Sequence, residues 1–152
     1  MSAEKLQKQI AVEKAQLRNL LRTHQSVLSR CGDSCPNPVQ RSALAAMLHS
    51  FYTGIENMLK RIAVELDGGV PTGDIWHRRL LDSMTSTGLS RPAVISPELR
   101  DLLRGYLDFR HVFRHAYTFE LRWPKMSALV LNCHEVLERL EDYTGKTTDY
   151  SD

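Results

Sequence analysis

Between residue 39 and about residue 67, Leu44, Leu48, Phe51, Ile55, Leu59 (with Met58), Ile62 and Leu66 follow one another at three- and four-residue steps. Steps of that size return a side chain to the same side of an α-helix, whose period is 3.6 residues. Met47, Tyr52 and Ala63 widen the stripe. An apolar face sustained over that length is of core type and has to be covered by other helices. No run in the chain alternates apolar and polar residues with the period of two that a half-buried strand needs. The expectation is an all-α chain.

The other segments supply partners for that helix. Residues 2 to about 30 read as one long helix, with Leu6, Ile10, Leu17, Leu20, Leu21, Val27 and Leu28 as its apolar positions. Its first half is poor in large apolar residues, so it should lie against a bundle rather than inside one. Cys31–Pro38 reads as a loop, because Gly32 ends the first helix and two prolines oppose its continuation. After the turn at residues 67–73, a short helix is expected from about Asp74 to Met84. Trp76, Leu80 and Leu81 form its apolar side and His77, Arg78 and Arg79 its basic side. That basic side suits a phosphate, although a plain charged surface flank is the simpler reading. Residues 85–95 are an extended connection rich in Ser, Thr, Gly and Pro.

Ser96-Pro97-Glu98 is a helix start: an N-cap, a proline at the first helical position and an acid at the positive end of the dipole. Leu99, Leu102, Leu103, Tyr106, Phe109, Val112, Phe113 and Ala116 give this helix its apolar face. Pro124 forces a break, and a final helix is expected from about Lys125 to Tyr143. The expected architecture is an antiparallel bundle of four main helices plus one short one. One domain spans residues 1–143, and residues 144–152 form a polar tail expected to be disordered.

Composition excludes several classes. The net charge of +2 leaves no globally basic footprint, so any nucleic acid would have to meet a local patch. No apolar run reaches membrane-spanning length, and no signal-peptide core follows the N-terminus, so the expectation is a cytoplasmic protein without membrane contact. Three cysteines do not make an even disulfide set. Cys31 and Cys35 have the spacing of half a zinc site, but Cys133 and His134, the other candidates, point about 100° apart on a helix. Cys133 then reads as core, Cys31 and Cys35 as loop cysteines, and no metal or cofactor is expected.

The chemistry is concentrated in residues 108–117, where Arg110, His111, Arg114, His115 and Tyr117 alternate with apolar residues. Histidine exchanges protons near neutrality, and arginine offers a permanently charged fork for phosphate. On an intact helix Arg110, Arg114 and Tyr117 share one stripe and His111 and His115 another. Arg110 and His115, five positions apart, differ by about 140°. Either the helix distorts here or two copies of the chain pool their residues. Arg and His also gather at helix C-termini through the dipole alone, which is the plain alternative to a catalytic role. His111 and His115 as a zinc pair lack a suitably spaced third ligand.

Arg110, four residues, His115, one residue, Tyr117 resembles the R-x4-H-x-Y motif of HEPN-domain ribonuclease toxins of the HepT type, matching all three positions. The chain departs at His111, where many members have Asn. The resemblance implies a HEPN-like helical bundle and a homodimer with a shared cleft. It implies metal-independent endoribonuclease activity on tRNA or mRNA, with Arg110 and His115 catalytic and Arg114 and His111 in support. HEPN-like domains often carry an acidic or polar residue on the long helix that reaches the cleft, and Glu56 is the candidate. Otherwise Glu56 is a solvated flank residue paired with Lys60. The resemblance also implies a nucleotidyltransferase antitoxin partner that AMPylates Tyr117, loading phosphate charge beside the arginines. The alternative is a non-catalytic HEPN-like interaction or nucleotide-binding module.

Overall fold

The structure is a computed structural model that describes residues 2–88, 90–117 and 120–149. Six α-helices account for most of them: α1 (Ser2–Thr23), α2 (Gln25–Leu28), α3 (Pro38–Leu66), α4 (Trp76–Ser83), α5 (Pro97–His115) and α6 (Trp123–Asp149). No strand occurs among the described residues. The all-helical expectation therefore stands, with six helices where five were expected.

The additional element comes from a break in the first expected helix. At His24 the regular i→i−4 ladder stops. The Leu20 carbonyl is met by the His24 imidazole at Nδ1, 2.9 Å away, while the His24 amide donates to Leu21 instead. A side chain that takes a backbone carbonyl from its own helix offers the chain a way out of the helix. One further turn, α2, follows before the loop.

The long apolar stripe becomes α3, and α3 is the hub: α1, α4, α5 and α6 all pack against it. Its buried residues go well beyond one narrow seam and include Leu44, Met47, Phe51, Tyr52, Ile55, Met58 and Ile62. Its start is set by reciprocal capping. The Gln40 amide donates to Asn37 Oδ1 at 2.8 Å, and the Asn37 amide donates to Gln40 Oε1 at 2.9 Å. Pro38 takes the first helical position, where its missing N–H costs nothing, so it begins this helix rather than blocking one. At the other end Gly68 adopts φ 83°, and the Gly69 amide returns to the Ala63 carbonyl at 3.0 Å. That left-handed step is available to glycine at little cost.

Around this hub α1 buries, among the described residues, only the single stripe Leu6, Ile10, Leu17 and Leu21, in keeping with a helix laid on the outside. Arg18 clamps it to α6 through Glu141 at 2.7 Å. Tyr106 ties α5 to α6 by donating to the Leu129 carbonyl at 2.6 Å. The irregular segment before α5 is fastened by Arg91, whose guanidinium meets both oxygens of Asp67 at 2.9 and 2.7 Å and also donates to the Ser86 and Pro92 carbonyls. A buried guanidinium satisfied in this way can hold loop backbone in place without leaving an unpaired charge. Helix α6 runs on to Asp149, through six of the nine residues expected to form a polar tail; residues 150–152 lie outside the described residues.

The tightest approach between α1 and α3 is at Gly54. A Cβ there would sit 2.6 Å from Leu17 Cδ2, and Leu17 is itself in the core. Gly54→Val should therefore destabilise the fold by about 1–3 kcal/mol, despite valine's better helix propensity. A urea midpoint equal to or above that of the parent, at unchanged slope, would contradict this packing.

Candidate active site

Helix α5 begins as expected, with the Leu99 amide donating to Ser96 Oγ at 3.1 Å and Pro97 in the first turn. It ends at His115. Ala116 already has extended backbone, φ −111° and ψ 147°. Tyr117 therefore does not continue the stripe of Arg110 and Arg114, as the helical arithmetic had assumed. Its amide donates to Glu120 Oε1 at 3.0 Å, and the residue is exposed.

The helix does not distort at its end, and the two motif residues part company. Arg110 turns inward and is 4% exposed. Its Nη2 donates to both oxygens of Glu56, at 3.1 and 3.0 Å. Its Cζ lies 5.0 Å from the centre of the Tyr52 ring. His111, Arg114 and His115 are exposed. The His111 and His115 rings are neighbours, 4.6 Å between centroids, as their four-residue spacing requires. Within one chain the structure thus brings Arg110 to Glu56 and leaves His111 and His115 on the other side of α5, with Arg114 exposed one turn beyond Arg110.

Glu56 is no solvated flank residue. It is buried, and its partners are Arg110 and His77 rather than Lys60, whose ammonium rests 5.0 Å above the Trp76 ring. His77, from α4, places Nδ1 2.8 Å from Glu56 Oε2 and 3.1 Å from Arg110 Nη2. A carboxylate can only accept and a guanidinium can only donate. The shorter contact is satisfied only if Nδ1 carries a proton and donates to Glu56. Glu56 then receives N–H groups from two directions, and His77 is left with Nε2 as its acceptor. Trp76 stacks on the His77 ring at 3.7 Å and fixes its plane.

Two further groups of α3 face the same region. His49, Tyr52 and Glu56 stand three and four positions apart and so share one side of the helix. The Tyr52 hydroxyl is buried with no hydrogen-bond partner among the described residues, and burial, reinforced by the Glu56 charge, pushes its phenol well above the ordinary range. His49 Nδ1 is likewise buried without a partner there, its ring 5.4 Å from that of Phe113. Burial lowers the His49 pKa, and the positive charges of Arg110 and Arg114 lower it further. Neither His49 nor His77 was singled out from sequence as a site residue. The α3 periodicity aligns His49 with Glu56, but nothing local pairs position 77 with position 56.

The three cysteines are free, with Cys31 and Cys133 buried and Cys35 exposed. Burial raises the thiol pKa of both Cys31 and Cys133, the latter to about 11, which marks them as packed rather than reactive. Among the described residues no group of three or more His, Cys, Asp or Glu side chains is placed to hold a metal ion. No helix among them is long and apolar enough to cross a membrane.

An all-helical chain with a buried acid–arginine pair, joined by a half-buried histidine, between its long central helix and the helix carrying R-x4-H defines the class. The family model described as HepT-like protein matches residues 43–149, and the chain belongs to that family. The match takes in Glu56, His77 and the whole of α5, and leaves out α1 and α2. No curated protein and no solved structure matches the chain.

Glu56→Ala should cost about 3–5 kcal/mol, because it leaves the Arg110 charge buried and unpaired. Adding Arg110→Met should recover part of that loss in thermal or urea unfolding; a mild effect of Glu56→Ala alone would contradict the burial of the pair. A second expectation concerns pH. His49 binds a proton less readily when folded than its ordinary value of 6.5. Below that value the unfolded chain takes a proton that the folded chain declines, so His49's contribution to stability is lost as the pH falls. The fall in urea midpoint between pH 8 and pH 5 should be smaller in His49→Phe than in the parent. An equal or steeper fall would contradict it.

Proposed function

We propose that this chain is a metal-independent endoribonuclease toxin whose activity is silenced by AMPylation of Tyr117. The observation that carries the reading is the complete R-x4-H-x-Y match inside the span that belongs to the HepT-like family, with its arginine locked to Glu56. RNA cleavage of this kind needs a base for the 2′-hydroxyl proton, an acid for the leaving 5′-oxygen and cations for the charge that develops on phosphorus. His115 supplies a proton-transfer group. Arg114 and His111 supply exposed contacts to RNA. Arg110 commits Nη2 to Glu56, so a phosphate meets it through Nε or Nη1 at the edge of the cluster.

The opposed directions of Arg110 and His115 favour a homodimer. Two copies facing each other along α5 pool the inward and outward sets around one cleft. Val112, 52% exposed between His111 and Arg114, gives that face an apolar contact for a second copy. The partner that silences the activity is a nucleotidyltransferase antitoxin. The Tyr117 phenol oxygen attacks the α-phosphorus of ATP, pyrophosphate leaves, the phenolic proton is lost, and AMP remains on an exposed side chain close to Arg114 and His115.

A second reading has one observation in its favour. An arginine neutralised by a buried carboxylate is also how a purely structural bundle would hold three helices together. In that case the chain is a non-catalytic interaction or nucleotide-binding module.

Purified protein incubated with total RNA, with and without chelator, separates the two. The ribonuclease reading expects cleavage that survives chelation and falls by about 10²-fold or more in His115→Ala. Co-expression with a cognate nucleotidyltransferase should add AMP mass that Tyr117→Phe does not acquire. Undiminished cleavage or growth arrest by His115→Ala would overturn the assignment, and full modification of Tyr117→Phe would remove the switch.

A further inference from the structure

We propose that His77 is a second proton-transfer residue of this site, oriented by Glu56 and acting as the base that takes the 2′-hydroxyl proton of the RNA. The inference rests on the ribonuclease reading and deepens it, because that reading supplies one imidazole for a reaction that moves two protons.

Four features of the geometry point to His77. Its Nδ1 donates to Glu56 Oε2 at 2.8 Å, so the tautomer is fixed by a buried carboxylate and Nε2 carries the lone pair. A carboxylate behind an imidazole holds the ring in place and stabilises the imidazolium that forms when Nε2 takes a proton. The ring remains accessible: its side chain is 30% exposed, against 5% for Glu56. Trp76 stacks against it, so the ring is held in plane as well as in tautomer. Finally, Arg110 Nη2 lies 3.1 Å from the same Nδ1, so the base and the motif arginine are parts of one cluster.

No other described imidazole combines these properties. His49 has a buried Nδ1 with no partner. His111 and His115 are exposed and contact each other's rings, and no carboxylate is paired with either in the described contacts. The charged groups near His77 are Glu56 of α3 and Arg110 of α5, which touch it, Lys60 of α3 on the Trp76 ring, and its helix neighbour Arg78, which is paired with Asp108 of α5.

The step balances without any further reactant. Nε2 of His77 takes the proton from the 2′-hydroxyl. The 2′-oxygen forms a bond to the adjacent phosphorus, and the bond from phosphorus to the 5′-oxygen breaks. The leaving oxygen takes a proton from the His115 of the facing copy in the proposed dimer, the acid in this assignment. The products are a 2′,3′-cyclic phosphate and a 5′-hydroxyl end.

His77→Gln in the full-length chain, assayed on total RNA beside the parent and His115→Ala, tests the proposal. Glutamine keeps an N–H for Glu56 and leaves Arg110 paired. The expected result is a loss of about 10²- to 10⁴-fold in kcat with little change in KM or in thermal midpoint. The acid limb of the pH profile should be lost, and added imidazole should partly restore activity to His77→Ala. Cleavage by His77→Gln at the parental rate, with the acid limb intact, would overturn the proposal while the ribonuclease reading survives on His115. A slower His77→Gln whose pH profile is unchanged, with no rescue of His77→Ala by imidazole, would assign His77 to holding Arg110 and overturn it equally. A parent chain that cuts no RNA would end both readings.

Discussion

A guanidinium from α5 and a carboxylate from α3, each about 5% exposed, meet at 3.0 Å in the interior of a helical protein. Taking two such charges out of water costs several kcal/mol apiece, and their attraction offsets this only when the geometry is good and the remaining hydrogen-bonding capacity is used. Here Glu56 also accepts from His77, and Arg110 lies over the Tyr52 ring. The cluster fixes how α3, α4 and α5 meet. It also fixes which way α5 is rotated: with Arg110 turned in, His111 and His115, about 100° and 140° round the helix, turn away, while Arg114, about 40° from Arg110, is exposed one turn further on. The separation of the two motif residues within one chain follows directly from this ion pair.

That rotation gives the homodimer proposal its physical content. A regular helix cannot aim side chains five positions apart at the same phosphate. α5 stays regular to His115, so in the proposed function the gap is closed by a second chain rather than by a local distortion. In the proposed dimer the Glu56–Arg110 pair is the rigid, prepaid part of the site, and His77, His111, Arg114 and His115 are the side chains left to meet RNA. Tyr117, beyond the helix end and exposed, belongs to the accessible part. The hydroxyl of Tyr52, buried without a partner among the described residues, does not.

Much of the fold was legible because α3 carries its periodicity openly. Its stripe, its Gly68 stop, the Ser96-Pro97 start of α5 and the Pro124 restart of α6 follow from residue types and their spacing. The break at His24 was not legible, because it depends on an imidazole competing for a carbonyl of its own helix. Of the site, sequence supplied Arg110 and offered Glu56 in two versions, one facing the cleft and one facing solvent. The choice between them rests on contacts 54 positions apart in the chain. The participation of His77 was hidden for the same reason: its neighbours along α4 make it look like part of a basic surface flank. Tyr117 was placed on the wrong footing by assuming that the helix ran on past His115.

The central claim is that Glu56 and Arg110 act as one buried unit, and a double-mutant cycle measures that claim directly. Unfolding free energies of the parent, Glu56→Gln, Arg110→Met and the double variant give the coupling between the two side chains. The account predicts a coupling of about 1.5 kcal/mol or more, with the double variant far less damaged than the sum of the single ones. Effects that add to within about 0.5 kcal/mol would mean that the two groups do not depend on each other. The rotation of α5 and the site built upon it would then lose their foundation.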